Sequence, residues 1–358
     1  MDRRRYLALT GLGITGLAGC SGGEDPELVS ETDGTSDSPT GSATSEPDTD
    51  PTTGTDTSTD EPTEEPTEEP TDTPAAERVT AAVGELVEGE SMSLVVESFE
   101  RGVSLGEFTE PDSGNEFVEV QMALKNTSSE YTEVSNLLQT RLRDDEDYQY
   151  DQTFGMGETP ALDGGQFAPG EVGRGAVPFE IPTDASGLEL VFDFDVSLFG
   201  GIDRATIDLE TEADQVHQLE QTLQVEVYSP GDTVEYGDVQ TAVNEFRTES
   251  SLGEFAQPDE GNEFVVVDIS ITNNTGEEQR FSTILQMMVK DGDGYTYQED
   301  LTATSQLDRG FDEGTPLSDG ETRRGELAYE VQTGRSPLYW AFEFSVFASG
   351  NKTFWQLR

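Results

Sequence analysis

The chain has 358 residues, of which 75 are acidic and 19 are basic, and its formal net charge is -56. A chain of this length has room for two or three domains. The charge argues against a nucleic-acid partner, because phosphates attract clustered Lys and Arg. It also argues against binding to an anionic membrane surface.

Two explanations of the acidity stay open. One is a polyacidic surface that binds cations or basic partners, and the other is adaptation to molar salt. At molar salt the Debye length falls to about 3 Å, so neighbouring carboxylates hardly repel one another. Acidic residues are spread along the whole chain, and only three lysines occur: Lys125, Lys290 and Lys352. We therefore favour a halophilic protein.

Residues 1–19 have the organisation of an export signal. Arginines precede an apolar run from Leu7 to Ala18, which is too short to span a bilayer. Arg3 and Arg4, followed by Arg5-Tyr6-Leu7, resemble the twin-arginine export signal. We therefore expect partners in the twin-arginine export machinery.

The segment Leu17-Ala18-Gly19-Cys20 resembles the lipobox of prokaryotic lipoproteins. The resemblance implies cleavage before Cys20 and thioether lipidation of its thiol, with membrane lipid and the lipoprotein-processing machinery as partners. Cys20 is the only cysteine, so an internal disulfide is excluded. An ordinary signal peptide with an incidental cysteine is the alternative. We expect a protein at the cell surface, lipid-anchored to the outer face of the cytoplasmic membrane.

Residues 20–78 are predicted to form a disordered stalk. They are rich in Thr, Pro, Glu and Asp and contain a repeated Glu-Pro-Thr-Glu motif. So few apolar residues cannot offset the entropy that ordering would cost. We expect a passive spacer whose Thr and Ser side chains suit O-glycosylation.

The remainder of the chain is duplicated, with an offset of about 147 residues. The motif Ser-Leu-Gly-Glu-Phe at 104–108 recurs at 251–255, and Gly-Asn-Glu-Phe-Val at 114–118 recurs at 261–265. Single residues match as well, including Asn126 with Asn273, Asp144 with Asp291, Tyr150 with Tyr297 and Glu171 with Glu321. These matches predict two domains, repeat 1 at 79–210 and repeat 2 at 224–358.

Both repeats have the alternation of β-strands. Apolar residues occupy every second position of a long run in each copy. They are Val118, Val120, Met122 and Leu124 in the first copy and Val265, Val267, Ile269 and Ile271 in the second. Later alternating runs extend from Leu188 to Val196 and from Leu338 to Val346. A period of two places each set on one face, toward a core. The pattern predicts an all-β protein with two tandem immunoglobulin-like antiparallel β-sandwiches after the stalk.

The order of motifs resembles a known family. Gly-Asn-Glu-Phe-Val opens a strand that ends at Asn126 or Asn273, and an Asp/Gly hairpin before Tyr and a Gly-Glu turn follow. This order is similar to the immunoglobulin-like (telokin-like) domain of unknown function that is common in prokaryotic surface lipoproteins. With its N-terminus, the chain resembles a haloarchaeal-type twin-arginine lipoprotein carrying two such domains. The resemblance implies no catalytic residue.

A metal site is weakly indicated at one hairpin. Asp291 and Asp293 could bind Ca²⁺ through carboxylate oxygens, with Glu299 and Asp300 nearby. Tyr295 stands where an EF-hand loop needs a ligand, so we favour a solvated hairpin tip. The only histidine, His217, lies between the repeats without a nucleophile to pair with. We expect no catalytic residue, no cofactor and no enzymatic activity.

Asn126, Asn273 and Asn351 begin Asn-x-Ser/Thr sequons and are candidate glycosylation sites. The alternative for the first two is a structural role in a turn. The two repeated loop motifs could form a recognition surface or could be packing anchors. We favour packing, with Phe108 and Phe255 plugging the end of each sandwich.

These features favour a non-enzymatic lipoprotein whose sandwiches contact an unknown protein or glycan at the cell surface. A solute- or ion-binding lipoprotein that assists a transporter is the first alternative. A carboxylate-based hydrolase is the second, since it would need two opposed carboxylates in a cleft.

Overall fold

The computed structural model describes residues 77–106, 109–134, 140–155, 157, 159–193, 202–346 and 350–358. The export signal with Arg3 and Arg4, the lipidation residue Cys20, and residues 20–76 of the predicted stalk lie outside the described residues, as does Phe108.

Repeat 1 is a sandwich of two main sheets. The four-stranded sheet has the order β2 (Leu86–Glu88), β3 (Met92–Arg101), β4 (Asn115–Asn126) and β9 (Val172–Pro182). The five-stranded sheet has the order β1 (Glu77–Val83), β11 (Ile202–Glu212), β10 (Glu189–Asp193), β6 (Thr140–Arg143) and β7 (Gln149–Tyr150). A small ribbon pairs β5 (Thr132–Val134) with β8 (Gly165–Phe167). Strand β1 begins at Glu77, two residues inside the predicted stalk.

Repeat 2 has the same two sheets. The four-stranded sheet has the order β13 (Thr233–Tyr236), β14 (Val239–Glu249), β15 (Asn262–Asn273) and β18 (Thr322–Gln332). The five-stranded sheet has the order β12 (Val227–Tyr228), β20 (Thr353–Gln356), β19 (Leu338–Phe342), β16 (Met287–Asp291) and β17 (Thr296–Tyr297). The helices are short: α1 (Thr283–Gln286), α2 (Leu301–Thr304) and a 3₁₀ turn at Phe344–Val346. The predicted all-β sandwich architecture is confirmed.

One pair of strands in each repeat departs from the predicted antiparallel arrangement. The opening strand lies parallel to the closing strand, β1 beside β11 in repeat 1 and β12 beside β20 in repeat 2. A parallel pair needs a long crossover connection. Here the whole sandwich between the two strands forms that connection, so local alternation could not reveal it.

The alternating residues of the long central strands form the two cores, as predicted. The four residues of β4 and the four of β15 that were assigned to one face are buried between the sheets. The first half of the opposite face of β15, from Phe264 to Asp268, is buried as well, because loops and α2 cover it. Val266 packs with Ala303 of α2, and the carboxylate of Asp268 is fully buried and paired with Arg309 and Arg324.

The predicted strand from Leu338 to Val346 is shorter in the structure. Strand β19 ends at Phe342, where its partner strand β16 begins at Met287, and one more in-register hydrogen bond follows, from the backbone N–H of Glu343 to the carbonyl oxygen of Gln286 in α1. Phe344 still reaches the core from the 3₁₀ turn, with its ring centroid 4.6 Å from that of Phe342. The alternating pattern therefore located the buried side chains correctly and overestimated the length of the strand. In repeat 1, β10 ends at Asp193, and the last two residues of its pattern are not described.

Among the described residues, none belongs to a helix with the length and apolar composition needed to cross a bilayer.

Candidate functional site at the domain junction

The segment between the repeats, residues 213–226, packs onto repeat 1. Its backbone N–H groups at Ala213, Thr222 and Gln224 donate to carbonyl oxygens of repeat 1, at 2.8 to 2.9 Å. Leu219 is buried against the outer face of the four-stranded sheet. His217 is exposed, and its backbone N–H donates to the Gly84 carbonyl oxygen at 2.9 Å. This segment, called here the linker, is a docked layer that positions repeat 2.

The repeats also contact each other directly. Ala168 of repeat 1 lies in one buried apolar cluster with Met288, Ala341 and Phe354 of repeat 2. The backbone N–H of Arg174 donates to the carbonyl oxygen of Gly294 at 3.0 Å. The described repeats and linker lie in one compact unit, Pro70–Arg358.

A buried group of charges lies within this contact, and we call Glu171, Lys290, Lys352 and Glu343 the junction ion cluster. Oε1 of Glu171 accepts hydrogen bonds from Nζ of Lys290 at 2.6 Å and of Lys352 at 3.2 Å. Nζ of Lys352 also lies 3.7 Å from Oε2 of Glu343. Both lysine side chains are 2% exposed and that of Glu171 is 0% exposed, so these are interior ion pairs between the repeats.

Burial and the neighbouring charges shift the pKa values of the cluster in opposite directions. Burial alone would raise the pKa of Glu171, but Lys290 and Lys352 hold that pKa below its ordinary value. Burial would lower the pKa of Lys352, but the surrounding carboxylates raise it. For Lys290 burial prevails and the pKa is lowered. Glu343 has a raised pKa because burial outweighs the nearby lysine. A buried charge without a partner is very unfavourable, so the cluster depends on both repeats staying in contact.

Two of the three lysines lie in the junction ion cluster, and the third holds the linker on repeat 1. Nζ of Lys125 donates to the carbonyl oxygen of Glu220 in the linker at 2.7 Å. Arg174 donates to the carbonyl oxygens of Asp293 and Leu219 and pairs with Glu97 at 3.1 Å. The scarcity of lysine was visible in the sequence, but the use of these few lysines to hold the repeats and the linker together was not.

A cleft opens beside the ion cluster, and we call it the junction cleft. Its volume is about 440 Å³, and both repeats line it. Repeat 1 contributes Glu133, Asp163, Gly164 and Gly165, and repeat 2 contributes Ile284, Leu285, Met288, Gln298, Glu343 and Ser345. Burial raises the pKa of Asp163 above its ordinary range. Sequence analysis missed this site, because its two halves come from distant parts of the chain.

The weak candidate metal residues, Asp291 and Asp293, are engaged by protein groups. Oδ1 of Asp291 accepts the backbone N–H groups of Asp293 and Tyr295 at 3.0 Å, and Oδ2 accepts the Tyr297 hydroxyl at 2.9 Å. Asp293 pairs with Arg335. Asp291 is fully buried, so the expectation of a solvated tip is wrong for this residue. The described residues contain no group of three or more His, Cys, Asp or Glu side chains with metal-binding geometry.

The first two candidate glycosylation sites, Asn126 and Asn273, lie in equivalent turns. Each is 0% exposed, and each amide nitrogen donates to two carbonyl oxygens at 2.7 and 2.9 Å. These contacts favour the structural role, because a glycan on either nitrogen has no room in the folded domain. Glycosylation there stays a prediction that would require modification before folding. Asn351 is half-buried.

The repeated loop motifs divide into anchoring and exposed residues. Asn115 and Asn262 each donate to a glutamate of the neighbouring strand, Glu180 and Glu330, at 2.9 and 2.8 Å. These contacts fit the favoured packing role. Phe255 is 78% exposed, so its expected role as a plug in the end of the sandwich is wrong. The buried residues here are instead Leu105, within the Ser-Leu-Gly-Glu-Phe motif of repeat 1, and Ala256, which directly follows the motif in repeat 2.

Both repeats match one family model, described as "Domain of unknown function (DUF4352)", over residues 81–202 and 228–353. The chain belongs to this family. The two matches confirm that the chain carries two copies of a DUF4352 domain.

Solved structures with a similar arrangement include three bacterial proteins. A conserved hypothetical protein from Bacillus anthracis is 19% identical, with a TM-score of 0.30, over 37% of this chain and 95% of its own. An uncharacterised β-sandwich protein from Clostridium difficile is 16% identical, with a TM-score of 0.28, over 38% and 98%. A candidate lipoprotein of Bacillus subtilis is 13% identical, with a TM-score of 0.30, over 37% and 40%. Among curated proteins, none matches the sequence.

Proposed function

We propose that this protein is a halophilic surface lipoprotein and a non-enzymatic contact module for another protein or a glycan. Twin-arginine export through Arg3 and Arg4 and lipidation of Cys20 place it on the outer face of the cytoplasmic membrane. Its two DUF4352 domains act together, because the linker and the junction ion cluster join them. The lipobox motif Leu17–Cys20 supports the anchor.

The observation that carries the contact function is a set of large apolar side chains held out on loops and short helices of repeat 2. These are Phe255, Ile284, Leu285 and Leu301, which are 78%, 49%, 62% and 57% exposed. Covering exposed apolar side chains such as these removes their surface from water, which favours association with a partner. Loops that a stable scaffold positions are the usual place for them.

A structural role for the two buried lysines and Glu171 is supported by their mutual ion pairs. Lys290 and Lys352 each donate to Glu171 inside the junction, which accounts for the shifted pKa values of these three groups without catalysis. Structural ion-pair networks shift pKa values just as catalytic sites do.

A solute-binding role is the second candidate, and the junction cleft is what favours it. Its volume of about 440 Å³ lies within the usual range for small-molecule sites, and it opens between two domains, where such sites are common.

The anchor is tested with Cys20→Ser in the native host. We expect intact-mass analysis of the membrane-bound wild type to show a mature chain that begins at an acylated Cys20. The variant should leave the membrane fraction, with Ser21→Ala as the matched control that stays bound. A mature wild-type chain that keeps its first nineteen residues and carries no acyl group would contradict the proposal.

The contact function is tested by cross-linking intact envelopes at high salt, followed by mass spectrometry of the linked peptides. We expect links from residues around the exposed apolar set to one surface protein or glycan. Links only to export and lipoprotein-processing proteins would count against a contact module.

A further inference from the structure

The junction cleft combines two kinds of surface. Glu133, Asp163 and Glu343 bring three carboxylates to its lining, which contains no Lys, Arg or His. Behind them, Nζ of Lys352 lies 3.7 Å from Oε2 of Glu343 and already donates to Glu171. The lining therefore has a surplus of negative charge.

The other surface of the cleft is apolar and held in place. Ile284 and Leu285 stand on α1, where they are 49% and 62% exposed. The Oγ of Ser282 accepts the backbone N–H of Leu285 at 3.3 Å, and Nε2 of Gln286 donates to the Glu343 carbonyl oxygen at 3.2 Å. The helix is therefore fixed to the cleft floor, and its two aliphatic side chains face outward before any partner binds.

We propose that the junction cleft binds an extended segment of a partner protein in which Arg or Lys alternates with aliphatic residues. This proposal rests on the proposed contact function and names its partner chemistry. The aliphatic residues of such a segment would cover Ile284 and Leu285, and its cationic groups would reach Glu133 and Asp163. A simple cation would leave the apolar half uncovered, and an uncharged glycan would leave the carboxylates without a partner.

The test uses the full chain in 2 M NaCl and a fluorescent nine-residue peptide of alternating leucine and arginine. Two matched peptides separate the contributions: leucine with citrulline keeps the shape without charge, and serine with arginine keeps the charge without apolar groups. We expect the leucine–arginine peptide to bind at least about tenfold more tightly than the serine–arginine peptide, given the value of buried aliphatic groups. It should also bind at least about threefold more tightly than the leucine–citrulline peptide, given the contribution of close charge pairs.

Variants locate the binding. Leu285→Ser should weaken binding of the leucine–arginine peptide about tenfold, whereas Leu301→Ser, which changes a similarly exposed leucine outside the cleft, should not. Glu133→Gln should weaken it about threefold, and Glu278→Gln, an exposed glutamate outside the cleft, should leave it unchanged. Thermal unfolding of each variant establishes that it is folded.

The proposal is overturned if the leucine–arginine peptide fails to bind more tightly than the serine–arginine peptide, or fails to bind more tightly than the leucine–citrulline peptide. It is also overturned if Leu301→Ser weakens binding as much as Leu285→Ser. Envelope cross-links to a partner at another surface, such as the loop of Phe255, would then preserve the contact function. The two failures are therefore distinguishable.

Discussion

At the scale of the residue, one matched pair shows how duplication produced an interface. Glu171 and Glu321 occupy equivalent turns, and Oε2 of each accepts a backbone N–H three residues before it, at 2.8 and 2.9 Å. Glu321 uses its other oxygen for Arg323 within its own repeat, whereas Glu171 accepts from two lysines of repeat 2. Both glutamates therefore make the same turn contact, and only Glu171 also forms ion pairs with the other repeat.

Glu171→Gln should lower the free energy of unfolding by about 3–5 kcal/mol, because it leaves the buried Lys290 without a carboxylate partner and Lys352 with only Glu343, 3.7 Å away. Glu321→Gln is the matched control, because it removes the charge from the same local turn contact at a much more exposed site, and it should change stability far less. Chemical denaturation at pH 7 in molar salt measures both. Equal losses from the two variants would mean that the turn contact, and not the ion cluster, carries the stability.

The same comparison predicts a pH dependence. The pKa of Glu171 is lowered from its ordinary value of 4.5, so the folded state favours the ionised carboxylate. The stability it contributes is present above pH 4.5 and is lost as the pH falls through the folded pKa. The raised pKa values of Glu343 and Asp163 mean that these neighbours take up protons first. The difference between the wild type and Glu171→Gln should therefore shrink below pH 4.5, and a constant difference down to pH 3 would contradict this.

At the scale of the element, the linker is held by a close backbone approach. The backbone N–H of Thr222 donates to the Gly170 carbonyl oxygen at 2.9 Å. A Cβ at Gly170 would overlap the carbonyl group of Thr222, whereas one at the equivalent Gly320 meets no atom within 4 Å. Both glycines have a positive φ, 79° and 74°, that disfavours side chains.

Gly170→Ala and Gly320→Ala therefore carry the same backbone strain and differ in the linker contact. We expect Gly170→Ala to lower the midpoint of thermal unfolding clearly more than Gly320→Ala. It should also speed proteolysis in residues 213–226, which the control leaves protected. If the two variants behave alike, the linker is not held at this point.

The Ser-Leu-Gly-Glu-Phe loops give a second prediction at this scale. Leu105 is 1% exposed, and its replacement by alanine should cost about 2–5 kcal/mol of unfolding free energy. Phe255→Ala should change stability by less than about 0.5 kcal/mol, because its side chain is 78% exposed. Denaturant titration checks both values. A large loss from Phe255→Ala would restore the phenylalanine as a packing anchor.

At the scale of the whole molecule, the two repeats share an interior. The junction contains buried apolar residues, buried ion pairs and a linker that bonds along repeat 1. Interfaces between domains are more often polar and loosely coupled. Both repeats should therefore unfold together.

Calorimetry in molar salt should give a single transition, with equal calorimetric and van't Hoff enthalpies. In Glu171→Gln the transition should broaden or split, because each repeat then stabilises the other less and the two unfold more independently. Glu321→Gln is again the control and should keep one transition. Two separate transitions in the wild type would show that the junction does not couple the repeats.

Much of the fold could be predicted because its signals are local. Alternation placed the core residues of β4 and β15, and matched motifs gave two copies of one domain. Alternation did not show what covers the outer face of a sheet, so the burial of Asp268 was missed. Nor did it show the direction in which Phe255 points from its loop. The candidate site lay beyond local signals altogether.

The sequence by itself determined two all-β repeats, because strand periodicity and turn residues act between near neighbours along the chain. Only the tertiary structure decided that Glu171, rather than its twin Glu321, meets Lys352 across 181 residues. An ion pair of that kind depends on which surfaces of two finished domains come together and exclude water. No spacing along the chain encodes that choice.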